Sequence, residues 1–149
     1  MNKKDALKLS ACAATGGRLL LGAVFLYAGV VKAAAPAEEF AYAIESYKVV
    51  PGWLALFTAY TLPWLEIALG ALLMSAVCLR LALAATGALL VAFEALLLSV
   101  IIRKIPVASC GCFGSAFVMS PGTEFLTNLF MLLIAATLWR RERAVNTNS

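Results

Sequence analysis

Four runs of almost uninterrupted apolar residues constrain the fold of this 149-residue chain more than any other feature. A helix needs about 20 apolar residues to cross the hydrocarbon core of a bilayer, and inside lipid the backbone must satisfy its own hydrogen bonds. The sequence therefore predicts an all-α fold, an integral membrane four-helix bundle. Its helices are expected at about residues 18–35, 53–79, 81–102 and 121–139.

Composition agrees with a membrane protein and argues against two other classes. Hydrophobic residues make up 63% of the chain and charged residues 13%, whereas a soluble protein has about half and about a quarter. The basic residues lie at the ends of the apolar runs without interleaved aromatic residues, so we expect membrane lipid and no nucleic acid as a partner. The absence of histidine removes the commonest general base and metal ligand.

Basic residues are unequally distributed between the two ends of the predicted bundle. Eight lie on the side of the chain termini and four on the other side, and cytoplasmic segments are enriched in Lys and Arg. This predicts a bacterial inner-membrane protein with cytoplasmic segments 1–17 and 140–149 and periplasmic loops 36–52 and 103–120. The eight are Lys3, Lys4, Lys8, Arg18, Arg80, Arg140, Arg141 and Arg143, and the four are Lys32, Lys48, Arg103 and Lys104.

The first apolar run also has features of a cleaved signal peptide. Lys3 and Lys4 precede it, and it closes with small residues before Pro36. Lys32 is a poor lead-in to a cleavage site, however, and removal of the first helix would invert the topology of the other three. We therefore expect the first helix to be retained.

Two further patterns concern the architecture. Phe40, Ile44 and Tyr47 are spaced like one face of a helix, which predicts a short interfacial helix between helices one and two. This helix is either a plain amphipathic connection or a lid or docking surface. Gly22, Gly29 and Gly70 are small enough to let helix backbones approach closely, as at helix contacts in lipid.

Two of the four cysteines lie in the turn-rich loop between helices three and four, within Cys110-Gly111-Cys112-Phe113-Gly114. On the oxidising side of the membrane they can form a disulfide, and a bond between such close neighbours closes a small, strained and easily reduced ring. We therefore assign Cys110 and Cys112 as a redox-active, catalytic pair and assign no metal ligand. A static disulfide and a thiolate pair for a soft cation stay open as alternatives.

The other two cysteines, Cys12 and Cys78, are expected on the cytoplasmic side, where thiols stay reduced. We interpret them as incidental, although their shared side leaves an inner dithiol open.

Charged residues inside predicted spans are functional candidates by default, because they are costly in lipid. Glu66 and Glu94 lie near the midpoints of helices two and three. With Trp64 they are our candidate cofactor-binding residues in the bundle interior, where a membrane quinone is the cofactor we consider. A single interhelical hydrogen bond from each carboxyl is the alternative. Arg18 and Lys32, near opposite ends of helix one, can reach headgroups or pair with these carboxylates.

Residues 18–139 resemble the MauE/DoxX family of small bacterial membrane proteins, and most closely its methylamine-utilisation branch, MauE. The resemblance rests on Arg18, the stretch from Phe25 to Lys32, the loop from Phe40 to Pro51, Pro63-Trp64-Leu65-Glu66 and the Cys110–Gly114 motif.

This resemblance implies periplasmic thiol-disulfide chemistry that supports maturation of the methylamine dehydrogenase small subunit. The implied partners are a periplasmic thioredoxin-fold protein and its client, and relatives are linked to quinone-dependent sulfur oxidation. It implies that Cys110 and Cys112 are the redox centre and that Glu66 is a family carboxylate. We favour a thiol-disulfide oxidoreductase; a soft-metal thiolate carrier and a non-catalytic membrane assembly factor remain alternatives.

Overall fold

The computed structural model describes residues 3–105 and 120–147, and these form five α-helices without a β-strand. This confirms the predicted all-α fold with a short helix between the first two long ones. The helices are α1 (Lys3–Ala34), α2 (Ala37–Ser46), α3 (Gly52–Ser75), α4 (Leu79–Ile102) and α5 (Pro121–Thr147).

Four of these helices are long and apolar enough to cross a membrane, so the chain is a multi-pass membrane protein. The candidate spans are Ala11–Ala34, Gly52–Ser75, Leu79–Ile102 and Gly122–Ala144. Both α1 and α5 continue beyond their spans into polar sequence, to Lys3 and to Thr147. The α1 extension, residues 3–10, is rich in Ala, Leu and Lys, which favour a helix without help from lipid.

The bundle consists of two tightly packed helix pairs, α1 with α3 and α4 with α5. The α1–α3 contact is formed by glycine, as the sequence predicted. A Cβ atom added at Gly29 would lie 2.7 Å from the carbonyl oxygen of Pro63, and one at Gly70 would lie 2.7 Å from the backbone nitrogen of Leu26. The two backbones are therefore as close as glycine permits, and Leu21, Phe25, Leu69 and Leu73 pack around the contact.

The two ends of the bundle differ in construction, and we name them for what they hold. At one end, the α2 end, α2 packs against α3, and Tyr47 at its end packs with Leu97 and Val100 of α4 and Phe125 of α5. The other end, the terminal end, holds the start of α1, the end of α5 and the turn at residues 76–78.

Candidate functional site

A buried ion pair joins the two most closely packed helices. The Lys32 ammonium donates hydrogen bonds to Glu66 Oε1 at 2.9 Å and to Oε2 at 2.8 Å. The two side chains are 1% and 3% exposed. This ion pair replaces the headgroup contact that a lysine near a helix end could have made.

The directions of the helices explain why these residues meet. Side chains of a helix tilt toward its N-terminus. Lys32, near the end of α1, therefore reaches back into the bundle, while Glu66 on the antiparallel α3 reaches toward the α2 end. The close approach at Gly29, one turn before Lys32, brings the two side chains within bonding distance.

The aromatic ring of Phe40 completes the surroundings of the ammonium. Phe40 lies on α2, and Lys32 Nζ is 5.7 Å from the centre of its ring. At this distance the ring face attracts a cation. The lysine thus links three helices: its own, α3 through Glu66, and α2 through Phe40.

A small cavity of about 30 Å³ lies on the other side of Glu66. Phe93 of α4 and Asn128 of α5 contribute to its wall. The side-chain nitrogen of Asn128 is buried and has no hydrogen-bond partner among the described residues. This cavity has room for about one water molecule, whose partners would be the carboxylate and the amide.

A larger cavity of about 160 Å³ lies between α2, α3 and α4 at the α2 end. Its wall is almost entirely apolar, with Thr58 as a polar exception. Phe40 belongs to this wall as well as to the lysine site, and Phe93 belongs to the walls of both cavities. Other wall residues are Ile44, Tyr47, Leu62, Leu96 and Leu97.

Two more acidic residues lie within the helical bundle. Glu94 is half-buried, and both its carboxylate oxygens are inaccessible and have no hydrogen-bond partner among the described residues. Glu124, in the first turn of α5, is 1% exposed, a burial that its position in the sequence does not predict. An acidic residue directly before an apolar run is ambiguous, because it is equally typical of a solvated first turn of a helix.

The structure places the remaining candidate residues apart from this region. Trp64 is 66% exposed and lies on the outer surface of the bundle, so its expected interior position is wrong. Successive helix residues are rotated by about 100°, so two residues apart are on nearly opposite faces, and Glu66 points inward. Arg18 lies at the terminal end, partly buried. Cys12 and Cys78 are free and exposed.

The cysteine motif Cys110-Gly111-Cys112-Phe113-Gly114 lies outside the described residues. The chain on either side of it is well anchored at the α2 end. Arg103 Nη1 donates to the carbonyl oxygens of Tyr47 and Lys48 at 3.3 Å each, and Ile105 packs against the Tyr47 cluster. On the other side, the Ser120 hydroxyl accepts from the Thr123 backbone nitrogen at 3.3 Å, an N-cap for α5.

Comparison with known proteins identifies one family. The chain matches the family model described as methylamine utilisation protein MauE over residues 10–141. No curated protein and no solved structure matches it. The wider resemblance to DoxX proteins stays a prediction. Because the match covers most of its length, the chain belongs to the MauE family, which associates it with methylamine utilisation.

Proposed function

We propose that this chain is a membrane thiol-disulfide redox protein that supports maturation of a disulfide-rich subunit in methylamine metabolism. Cys110 and Cys112 cycle between dithiol and disulfide. A thiolate attacks the disulfide of a thioredoxin-fold partner, the mixed disulfide is resolved by the second cysteine, and two electrons and two protons pass to the partner. The reverse sequence transfers a disulfide outward.

The observation that carries the proposal is the position of the described residues that flank the segment with this pair. α4 ends and α5 begins at the α2 end, where Arg103, Ile105 and Ser120 form the contacts described above. We therefore expect a partner that approaches the membrane surface at this end to contact α2 and the segment that joins α4 to α5.

The apolar cavity at the α2 end supports the second electron carrier of the proposal, a membrane quinone. A cavity of about 150 Å³ lined by aliphatic and aromatic side chains binds a benzene ring, and the cavity between α2, α3 and α4 measures about 160 Å³. The space beside Glu66, at about 30 Å³, is too small for a ring. We therefore place the quinone next to Phe40, separated from the Lys32–Glu66 pair by that ring.

The charge distribution supports an inner-membrane protein with the terminal end in the cytoplasm. Of the four basic residues at the α2 end, Lys32 is neutralised inside the bundle by Glu66. Three exposed cations remain there, namely Lys48, Arg103 and Lys104, whereas the sequence has eight basic residues on the side of the terminal end. This difference favours the orientation in which the cysteine loop faces the periplasm.

The test follows the redox state of the cysteine pair in purified, detergent-solubilised protein. Free thiols are alkylated with a mass-tagged maleimide after incubation with oxidised thioredoxin, reduced thioredoxin or a short-chain ubiquinone. We expect the pair to change state with each of them and a Cys110→Ser variant to accumulate the mixed disulfide. The Cys12→Ser/Cys78→Ser double variant is the matched control and should behave like wild type.

Two outcomes would overturn the proposal. If the pair never changes state, its chemistry is not redox cycling. If cells with the Cys110→Ser/Cys112→Ser variant grow on methylamine as well as wild-type cells, a non-catalytic assembly role is favoured.

The quinone step is tested separately with Ile44→Trp, which fills the apolar cavity. Its control is Tyr42→Trp, on the exposed face of α2. Ile44→Trp should abolish the ubiquinone response alone.

A further inference from the structure

Thr58 brings a hydroxyl group into the wall of the apolar cavity at the α2 end. Leu54, Thr58 and Leu62 are four residues apart along α3, so they form one row on its surface, and all three belong to this wall. Thr58 is half-buried and stands between the two leucines. The wall residues of α2 and α4 are aliphatic or aromatic. A molecule in the cavity therefore meets the Thr58 hydroxyl within a largely hydrocarbon surface.

The Thr58 hydroxyl forms no hydrogen bond with the residues that the structure describes. Exposed threonines of the same bundle donate instead to a carbonyl oxygen of their own helix, Thr61 to Phe57 at 2.9 Å and Thr137 to Ile134 at 2.8 Å. Such a local bond satisfies a hydroxyl where lipid excludes water. Thr58 lies inside the second candidate span without this bond, so a polar atom of a ligand in the cavity would supply its partner.

The chemistry of a hydroxyl defines which ligand atoms it can bind. A threonine hydroxyl both donates and accepts a hydrogen bond. It can donate to the carbonyl oxygen of a quinone, and it can accept from the hydroxyl of the corresponding quinol. We infer that Thr58 binds a ring oxygen of the ligand in this cavity and does so in both redox states. This inference rests on the proposed function, in which the cavity holds a quinone.

The polar groups of the neighbouring site do not offer this contact. Glu66 and Asn128 line the small cavity of about 30 Å³, and Phe93 belongs to the walls of both cavities. A ring in the larger cavity therefore contacts Phe93, and neither the Glu66 carboxylate nor the Asn128 amide belongs to the wall around it. Tyr47 belongs to this wall and also carries a hydroxyl, so it is the competitor that the experiment has to separate from Thr58.

The experiment compares three ring compounds of one shape by equilibrium dialysis in detergent micelles. They are duroquinone, its reduced hydroquinone, and durene, which has the same ring and methyl groups without oxygen. The full chain carries Cys110→Ser/Cys112→Ser, so that neither redox form is converted during the measurement. Each compound is compared between variants in the same micelles, so its partition into detergent cancels.

Thr58→Val removes the hydroxyl and keeps the branched side chain. It should weaken binding of duroquinone and of the hydroquinone by about three- to tenfold, the usual effect of one neutral hydrogen bond. Durene should bind as tightly as before or more tightly. Thr58→Ser keeps a hydroxyl and should retain the preference for the two oxygen-bearing rings. Thr61→Val is the matched control, since it removes an exposed hydroxyl of the same helix that is already bonded to Phe57.

Three results would overturn the inference. Thr58→Val could bind all three compounds as before, it could lose all three equally, or Tyr47→Phe rather than Thr58→Val could lose the preference for oxygen-bearing rings.

The failure of this inference is distinguishable from the failure of the proposed function. If the cysteine pair exchanges with thioredoxin but Thr58→Val has no selective effect, the thiol-disulfide cycle stands and the role of Thr58 is wrong. If the pair never changes state but Thr58→Val selectively weakens the oxygen-bearing rings, the role of Thr58 stands and the redox cycle is wrong.

Discussion

Lys32 and Glu66 show how a charged pair is accommodated inside a lipid-embedded bundle. Both carboxylate oxygens accept from the ammonium, and the Phe40 ring covers another side of the nitrogen. Such pairs add little net stability compared with apolar residues of the same size, but the loss of one partner leaves a buried, unpaired charge. The pair therefore acts mainly on specificity: α1 and α3 must pack in the register that brings Lys32 and Glu66 together.

This requirement predicts the effect of removing one partner. Glu66→Leu should lower the free energy of unfolding by about 3–5 kcal/mol, because the Lys32 ammonium stays buried without a counter-ion. The Lys32→Met/Glu66→Leu double variant should recover most of that loss. Thermal unfolding in detergent micelles measures both. The control is Glu39→Gln, on an exposed position of α2; if Glu66→Leu were no less stable than this control, the ion pair would have no structural role.

At the scale of whole helices, the α1–α3 contact depends on glycine. Gly29 faces the backbone of α3, whereas a Cβ atom at Gly87 in α4 would meet no atom of another helix within 4 Å in the part of the chain that the structure describes. The two glycines therefore form a natural pair for comparison, because each lies inside a membrane-spanning helix and only Gly29 lies against a described neighbouring helix.

Alanine at these two positions should have opposite effects. Gly29→Ala should destabilise the protein by about 1–3 kcal/mol, since the backbone of Pro63 and Ile67 cannot move without separating the helices. Gly87→Ala should be neutral or stabilise by about 0.5–1 kcal/mol, because alanine favours the helix. SDS-induced unfolding followed by circular dichroism gives both values. A Gly29→Ala variant as stable as Gly87→Ala would mean that the helices are not closely packed there.

The sequence predicted elements better than contacts. The lengths of the apolar runs predicted the four long helices, and the helical spacing of Phe40, Ile44 and Tyr47 predicted α2. Both features are local properties of the chain. The partner of Lys32 was not predictable, since Glu66 and Glu94 were equally suitable until the register of α1 against α3 was known. The assignment of Trp64 to the interior was wrong. Helix residues two positions apart face nearly opposite directions, so Trp64 and Glu66 could not both face the interior.

At the scale of the whole molecule, the uneven distribution of cations predicts that the terminal end faces the cytoplasm and the α2 end faces the periplasm. Cys78 is exposed in the turn at the terminal end, and Ser46 is exposed at the end of α2. With Cys12, Cys110 and Cys112 replaced by serine, Cys78 should react with a membrane-impermeant maleimide only after the cells are permeabilised.

The matched control for this topology is Ser46→Cys in a cysteine-free chain, which should react in intact cells. Labelling is read from a gel shift of the purified protein. The reverse pattern, with Cys78 labelled in intact cells and Ser46→Cys protected, would show the opposite orientation. It would also place the cysteine loop in the reducing compartment and contradict the proposed redox cycle.

The pairing of Lys32 with Glu66 also has a consequence for biogenesis. The two residues are separated by 34 positions in the chain, so α1 is synthesised and reaches the membrane before its partner exists. Transfer of a Lys, Arg or Asp to the centre of an inserting helix costs about 2.5–3.5 kcal/mol on translocon scales. During that interval Lys32, near the end of its helix, can still extend to the headgroups, whereas Glu66 lies deep within α3. Insertion of α3 should therefore be easier when α1 is still next to the translocon, because Lys32 can then pair with Glu66 as α3 enters the membrane.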